Sequence, residues 1–207
     1  MHFERVSLRL GGSQTSRLAQ SGIDRRSGIE NRTCVHPQVP SKVPHMTQEL
    51  EGGCLCGKVR FRTSQAPMRT LACHCRFCQR VTGSAYFAES MFPMDAVSFR
   101  GGPLSQYEHV SEGSKKKVFV HFCRNCGTTV SLTFERWPEV RGIARGCYDD
   151  PDAVTVSSHI WTQSAQSGTA LPAGVDCFAG ARMSLEGQPE PSTRHPSPAM
   201  AGPHIDA

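Results

Sequence analysis

The sequence predicts an all-β domain, and three observations carry that expectation. Apolar residues alternate with polar ones in short runs, the runs recur about every ten residues between Gly- and Pro-rich turns, and helical periodicity is almost absent. At 207 residues the chain is long enough to bury a core, and its length fits one domain with tails.

The domain is expected over residues 46–180. Residues 1–45 are rich in Ser, Gly and Arg and show no sustained period, which predicts a disordered basic leader. Two other readings stay open: Met46 as the true start, and an organelle-targeting segment, against which Glu4, Asp24 and Glu30 stand. Beyond Gly180 the Pro- and Ser-rich EGQPEPSTRHPSPAMAGP predicts a disordered tail over 181–207.

The element order follows from the alternation. In 58–62 (KVRFR), Val59 and Phe61 alternate with Lys58, Arg60 and Arg62, the pattern of a half-buried strand. Segments 84–92 (SAYFAESMF) and 97–99 (VSF) read as two more, divided by Pro93 and closed by Gly101-Gly102-Pro103. LSQYEHV follows, and then KVFVHFC and TVSLTF, whose alternation makes a hairpin around the turn that carries Cys123 and Cys126. His121 is expected to face outward. Short strands are expected at Ile143 and at Val154 with Val156, around a turn at Asp149-Asp150-Pro151. One helix of a turn or two is predicted over 76–82.

Seven of the ten cysteines fall into three clusters: Cys54 and Cys56 in GGCLCG, Cys73, Cys75 and Cys78 in CHCRFC, and Cys123 and Cys126 in FCRNCG. Residues two apart on a strand share a face, so CxC pairs make poor disulfides and good chelates. No run approaches the ~18 apolar residues of a membrane span. The apolar VSLRL is short and broken by Arg9, unlike a secretory signal. A cytoplasmic setting without a membrane partner is therefore expected, in which such spacings favour metal over disulfides.

Zinc takes four ligands in closed structural sites and three in open catalytic ones. The seven cysteines divide accordingly. Cys54, Cys56, Cys123 and Cys126 would close a structural site, and Cys73, Cys75 and Cys78 would form an open one, for two zinc ions per chain. The alternative is a second structural site completed by Cys147 or Cys177, which otherwise read as small buried residues. His74, between two ligands, should point away from them and hydrogen-bond nearby backbone, with metal ligation the lesser alternative.

The net charge of +5 is unevenly spread: seven basic and three acidic residues fall in 1–45, leaving 16 basic against 15 acidic beyond. A nearly neutral domain lacks the footprint of nucleic-acid binding. Arg76 and Arg80 are candidates for a substrate carboxylate, and Thr82 and Ser84 for a substrate oxygen, although Thr82-Gly83 would equally cap the short helix. Lys115-Lys116-Lys117 reads as a solvated loop. Asp149 and Asp150 are paired carboxylates that turn formation already explains.

The ordered motifs GGCLCGKVRF, CHCRFCQRVTGSAY, HFCRNCGT and GCYDDPDAVTVSSHIW resemble those of the glutathione-dependent formaldehyde-activating enzyme family, which includes centromere protein V. The resemblance runs from Glu49 to Trp161. It implies a β-tent (Mss4-like) fold with a structural zinc on Cys54, Cys56, Cys123 and Cys126, and a second, catalytic zinc on Cys73, Cys75 and Cys78. It also implies a carbon–sulfur lyase that joins or splits glutathione and formaldehyde as S-hydroxymethylglutathione. On that reading a thiol substrate is deprotonated at the open position and attacks an aldehyde. The competing expectation is a non-catalytic, zinc-stabilised binding module; chromatin binding would require a basic surface.

Overall fold

The structure, a computed structural model, describes residues 49–202; the leader, Met46 and Cys34 lie outside the described residues. In chain order the strands are β1 Glu51–Gly53, β2 Val59–Thr63, β3 Arg69–Cys73, β4 Phe87–Pro93, β5 Val97–Gly101, β6 Leu104–Val110, β7 Lys117–Cys123, β8 Thr129–Phe134, β9 Val140–Ala144, β10 Ser158–Ile160, β11 Ala170–Leu171, β12 Asp176–Cys177, β13 Thr193–Arg194 and β14 Ala199–Met200. The helix α1 spans Arg76–Thr82, between β3 and β4. No helix among the described residues is long and apolar enough to cross a membrane.

The fold class is the one expected, all-β with a short helix after the CxCxxC motif and the tent of sheets that the resemblance implies. A large sheet runs in the order β13-β12-β10-β3-β4-β9-β8-β7-β6, and a small one in the order β1-β2-β5. Most pairs are antiparallel, but β10 runs parallel to both β3 and β12.

Pairing register decides which side chains share a face, because side chains alternate along a strand. Cys73 stands opposite Phe87 and Leu71 opposite Glu89, while Glu89 pairs across to Ala144 and Met91 to Gly142. These residues occupy one face of the large sheet, the face that α1 covers; Phe77 of the helix stacks on His109 of β6 at 4.5 Å. The other face carries Phe92 and Ile143, both fully buried, and packs on the small sheet. There Phe61 meets Tyr148 edge-on at 5.4 Å, and Arg141 lies 5.1 Å above the Phe99 ring. Burying an aromatic such as Phe61 contributes roughly 3–5 kcal/mol against its truncation to alanine.

The structure differs from expectation in three places. Val154 is buried but lies in no strand, and the pairing segment begins four residues later at Ser158. His121 is half-buried, because both faces of the large sheet are covered, and its Nε2 lies 2.8 Å from the Thr133 hydroxyl. Burial and Arg141 lower its pKa to about 4. The segment 181–202, expected to be disordered, is placed against the domain. Its strands β13 and β14 pair with β12 and β11, and Arg194 grips Asp176 through both carboxylate oxygens at 2.6 and 2.9 Å. Arg136 also donates to the Ser184 and Leu185 carbonyls. Composition describes what a segment cannot bury; it does not register which backbone edges are free to receive it.

Candidate metal centres

The first centre is made by two tight turns. After β1, Gly57 donates to the Cys54 carbonyl at 2.9 Å; after β7, Gly127 donates to the Cys123 carbonyl at 2.9 Å. The turns bring the Sγ atoms of Cys54, Cys56, Cys123 and Cys126 within 4.8 Å of one another. Cys54 and Cys56 are 3.5 Å apart at sulfur, and Cys56 and Cys123 are 3.8 Å apart. A tetrahedron with zinc–sulfur bonds of ~2.3 Å has edges of about 3.8 Å, so these four thiols fit a closed zinc site. The Val59 N–H points at Cys54 Sγ from 3.3 Å, and the Thr128 hydroxyl lies 3.2 Å from Cys126 Sγ, where it lowers that thiol's pKa. Donors aimed at sulfur favour the thiolate form that a metal requires.

The second centre lies at the start of α1. Cys73 ends β3, and Cys75 is the helix N-cap, its sulfur accepting the Cys78 N–H at 3.4 Å. The three sulfurs of Cys73, Cys75 and Cys78 lie within 4.8 Å of one another. Among the described residues no fourth Cys, His, Asp or Glu atom joins them, so the geometry is that of three donors with one side open. Cys73 and Cys78 are buried and Cys75 is half-buried. Hydrogen bonds from Cys73 and then Cys78 pull the Cys75 thiol down, while the contact with Cys75 pushes Cys73 well up and the contacts with Cys73 and then Cys75 push Cys78 well up. Cys147 and Cys177 stand apart from this group. Their thiols contact the Thr129 and Val175 carbonyls, as small buried residues do. Among the described residues every cysteine is free of disulfides.

His74, expected beside the ligands, and two side chains that sequence reasoning did not select, His159 and Gln79, hold the second centre in place. His74 is wholly buried and pairs through Nε2 with Nδ1 of His159 at 2.9 Å, with Tyr86 against its ring at 5.2 Å. Burial, and then His159, lower the His74 pKa to about 4, which keeps the ring neutral. Gln79 donates through Nε2 to the carbonyls of His74 at 2.6 Å and Ser164 at 2.8 Å, and its Oε1 accepts from Arg76 and Gln166. The helix is thereby tied to the loop after β10. His159 was visible only as part of SSHIW; nothing in its local pattern announced a partner 85 residues away.

Glu89 is the other unselected residue. Its carboxyl lies on the face of β4 that carries Phe87, at 6 % exposure, and burial, then the charge of Cys75, push its pKa up to about 8. Of the substrate candidates, Arg76 and Arg80 are exposed on the helix. The Thr82 hydroxyl donates to the Cys78 carbonyl at 2.7 Å and lies 3.0 Å from that of Ser84, which in turn donates to the Tyr86 carbonyl. Gly83 caps the helix in the left-handed conformation. Asp149 pairs with Arg60, and Asp150 caps the turn at Pro151–Ala153, the role that turn formation gives it. Clefts of about 250 and 420 Å³ lie beside the Cys123 turn and between Met68 and Val140; Cys73, Cys75 and Cys78 line neither.

Fold and site together define a β-tent domain with two thiol clusters able to hold metal, one closed and one open. The profile of the family described as glutathione-dependent formaldehyde-activating enzyme matches residues 49–164, more than half of the chain. The chain belongs to that family. A protein of Halomonas elongata named "Putative glutathione-dependent formaldehyde-activating enzyme" is 32 % identical over 94 residues, 44 % of this chain and 60 % of that one. An uncharacterized lyase of Schizosaccharomyces pombe is 28 % identical over 86 residues, 42 % of this chain and 58 % of that one. The chain thus spans less than two thirds of either relative. A crystal structure of a Rhodobacter sphaeroides protein matches at a TM-score of 0.40 and 22 % identity, over 51 % of this chain and 96 % of that one, too distant to bear on the site.

Proposed function

We propose that this chain is a zinc-dependent carbon–sulfur lyase that forms or cleaves the S-hydroxymethyl adduct of glutathione and formaldehyde, in the cytoplasm. The observation that carries the reading is the four-and-three division of the clustered thiols, in a chain of this family.

Cys54, Cys56, Cys123 and Cys126 would hold one zinc as a cross-link between β1 and the β7–β8 hairpin. Cys73, Cys75 and Cys78 would hold the other. Bound there, zinc lowers the pKa of a thiol and orients it as a nucleophile. The remaining work falls to the chain. Gln79 and the His74–His159 pair fix the segment that carries the three thiols. On this reading a substrate approaches from the side of half-buried Cys75. Arg76 and Arg80, exposed one helical turn apart, would hold a carboxylate of glutathione, and the Thr82–Ser84 hydroxyl pair at the end of the same helix would meet a substrate oxygen.

The test is turnover of S-hydroxymethylglutathione, measured with metal content. Wild-type protein is expected to turn it over, and Cys75→Ser to remain folded, lose metal equivalent to one site and lose activity. A wild-type protein that holds metal, folds and shows no turnover would establish a zinc-stabilised binding module instead.

A further inference from the structure

We propose that Glu89 is the hydrogen-bond partner of the oxygen on the one-carbon unit, holding the hydroxyl of an S-hydroxymethyl thiol beside Cys73, Cys75 and Cys78. This rests on the reading given under Proposed function and assigns a specificity-determining residue to it.

Glu89 makes no hydrogen bond or ion pair with any described residue, and its Oε2 is buried without a partner. Its neighbours across the strands are Leu71 and Ala144, and along its own strand Phe87 and Met91 share its face. A buried carboxyl in such company is costly relative to an apolar residue unless something hydrogen-bonds to it. Packing alone gives no reason for it.

The backbone is shaped around this carboxyl. A Cβ on Gly142 of β9 would come 2.2 Å from Glu89 Oε2, so the side chain occupies space that only a glycine on the neighbouring strand leaves free. Two residues along β4, Phe87 stands opposite Cys73, which puts Glu89 on the face of the three thiols and one pair away. It is not a fourth ligand, because its oxygens fall outside the group of donor atoms within 4.8 Å of one another. It is therefore a polar group beside the open centre, with an unused oxygen, among largely apolar neighbours and with the charge of Arg69 near by. A carboxyl donates when protonated and accepts when ionised, so it can pair with an aldehyde oxygen or with the hydroxyl of its thiol adduct. A thiol that lacks the hydroxymethyl group offers nothing to it.

The proposal is tested by calorimetric binding to the zinc-loaded full chain, with S-hydroxymethylglutathione kept formed by excess formaldehyde and with S-methylglutathione, which has no hydroxyl. Wild-type protein is expected to prefer the hydroxymethyl adduct. Glu89→Leu should lose about tenfold or more of its affinity for that adduct, and so lose the preference, while its affinity for S-methylglutathione and its metal content stay unchanged. Glu89→Gln, whose amide still hydrogen-bonds, should keep part of it. Preference retained in Glu89→Leu overturns the proposal, as does an equal loss for both ligands, which would mark a structural role. Wild-type binding of both ligands without preference overturns the assignment of Glu89 alone. Wild-type binding of neither overturns the glutathione reading and this proposal with it.

Discussion

Nε2 of His74 lies 2.9 Å from Nδ1 of His159, so the residue between two clustered thiols is fastened to a strand 85 residues further along the chain. The contact is buried, and Nδ1 of His74 has no partner among the described residues. His159→Ala leaves the His74 ring wholly unpaired, and is expected to cost about 1–3 kcal/mol in urea denaturation. His159→Asn, which keeps a polar group there, should recover part of that loss.

The two thiol clusters should respond differently to loss of a ligand. Cys54 and Cys56 are joined with Cys123 and Cys126 across a large part of the domain, whereas Cys73, Cys75 and Cys78 lie within one short segment. Cys54→Ser is expected to unfold the domain or lower its melting temperature sharply, because the closed site is tertiary structure as well as a metal site. Cys75→Ser is expected to keep the circular dichroism of the wild type. Metal analysis and thermal melts on both variants, with and without a strong chelator, check the asymmetry.

Glu89 makes stability depend on pH. Its carboxyl has a folded-state pKa of about 8 against an ordinary 4.5, so the folded state favours the protonated form. Its contribution is full below pH 4.5, where the unfolded chain is protonated too, and is lost as pH rises toward 8, by up to about 1.4 kcal/mol per pH unit. Glu89→Gln lacks this dependence. The variant should therefore gain on wild type across that window in denaturant titrations, with the gap constant above it; a gap independent of pH would contradict the assignment.

Gly52 has no room for a side chain. A Cβ there would come 2.1 Å from the Cys147 carbonyl oxygen and 2.4 Å from Cζ of Phe61. Gly52→Ala should destabilise the domain by about 3 kcal/mol or more, since both contacts belong to the packed interior. Because β1 leads directly into Cys54, metal retention in the closed site should fall with it, as competition with a chromogenic chelator would show.

Much of the site was legible because its information is local. CxC and CxxC spacings are properties of three or four consecutive residues, and ligand geometry imposes them wherever the chain later goes. The helix at Arg76–Thr82 and the hairpin that carries Cys123 and Cys126 follow in the same way from a capping residue and from alternation. Residues that act through distant partners were not legible. Glu89 sits in the run SAYFAESMF, where a carboxylate reads as a solvent-facing position; it is buried because β4 runs between β3 and β9 inside the sheet and α1 covers the face to which register assigns it. His121 departs from the outward-facing expectation for the related reason that a strand pattern names two faces and does not tell whether both are covered.

By itself the sequence determined that this is a β-rich domain with seven thiols in chelating positions, and it carried the family in the order of those motifs. The tertiary structure decided which thiols come together, that the group at Cys73, Cys75 and Cys78 has no fourth described donor, and that Glu89, His74, His159 and Gln79 surround it. The physical reason is range. Chelate spacing and strand alternation are set by bond geometry over a few residues, whereas burial and hydrogen-bond partnership depend on which strands become neighbours, through contacts that only the folded chain makes.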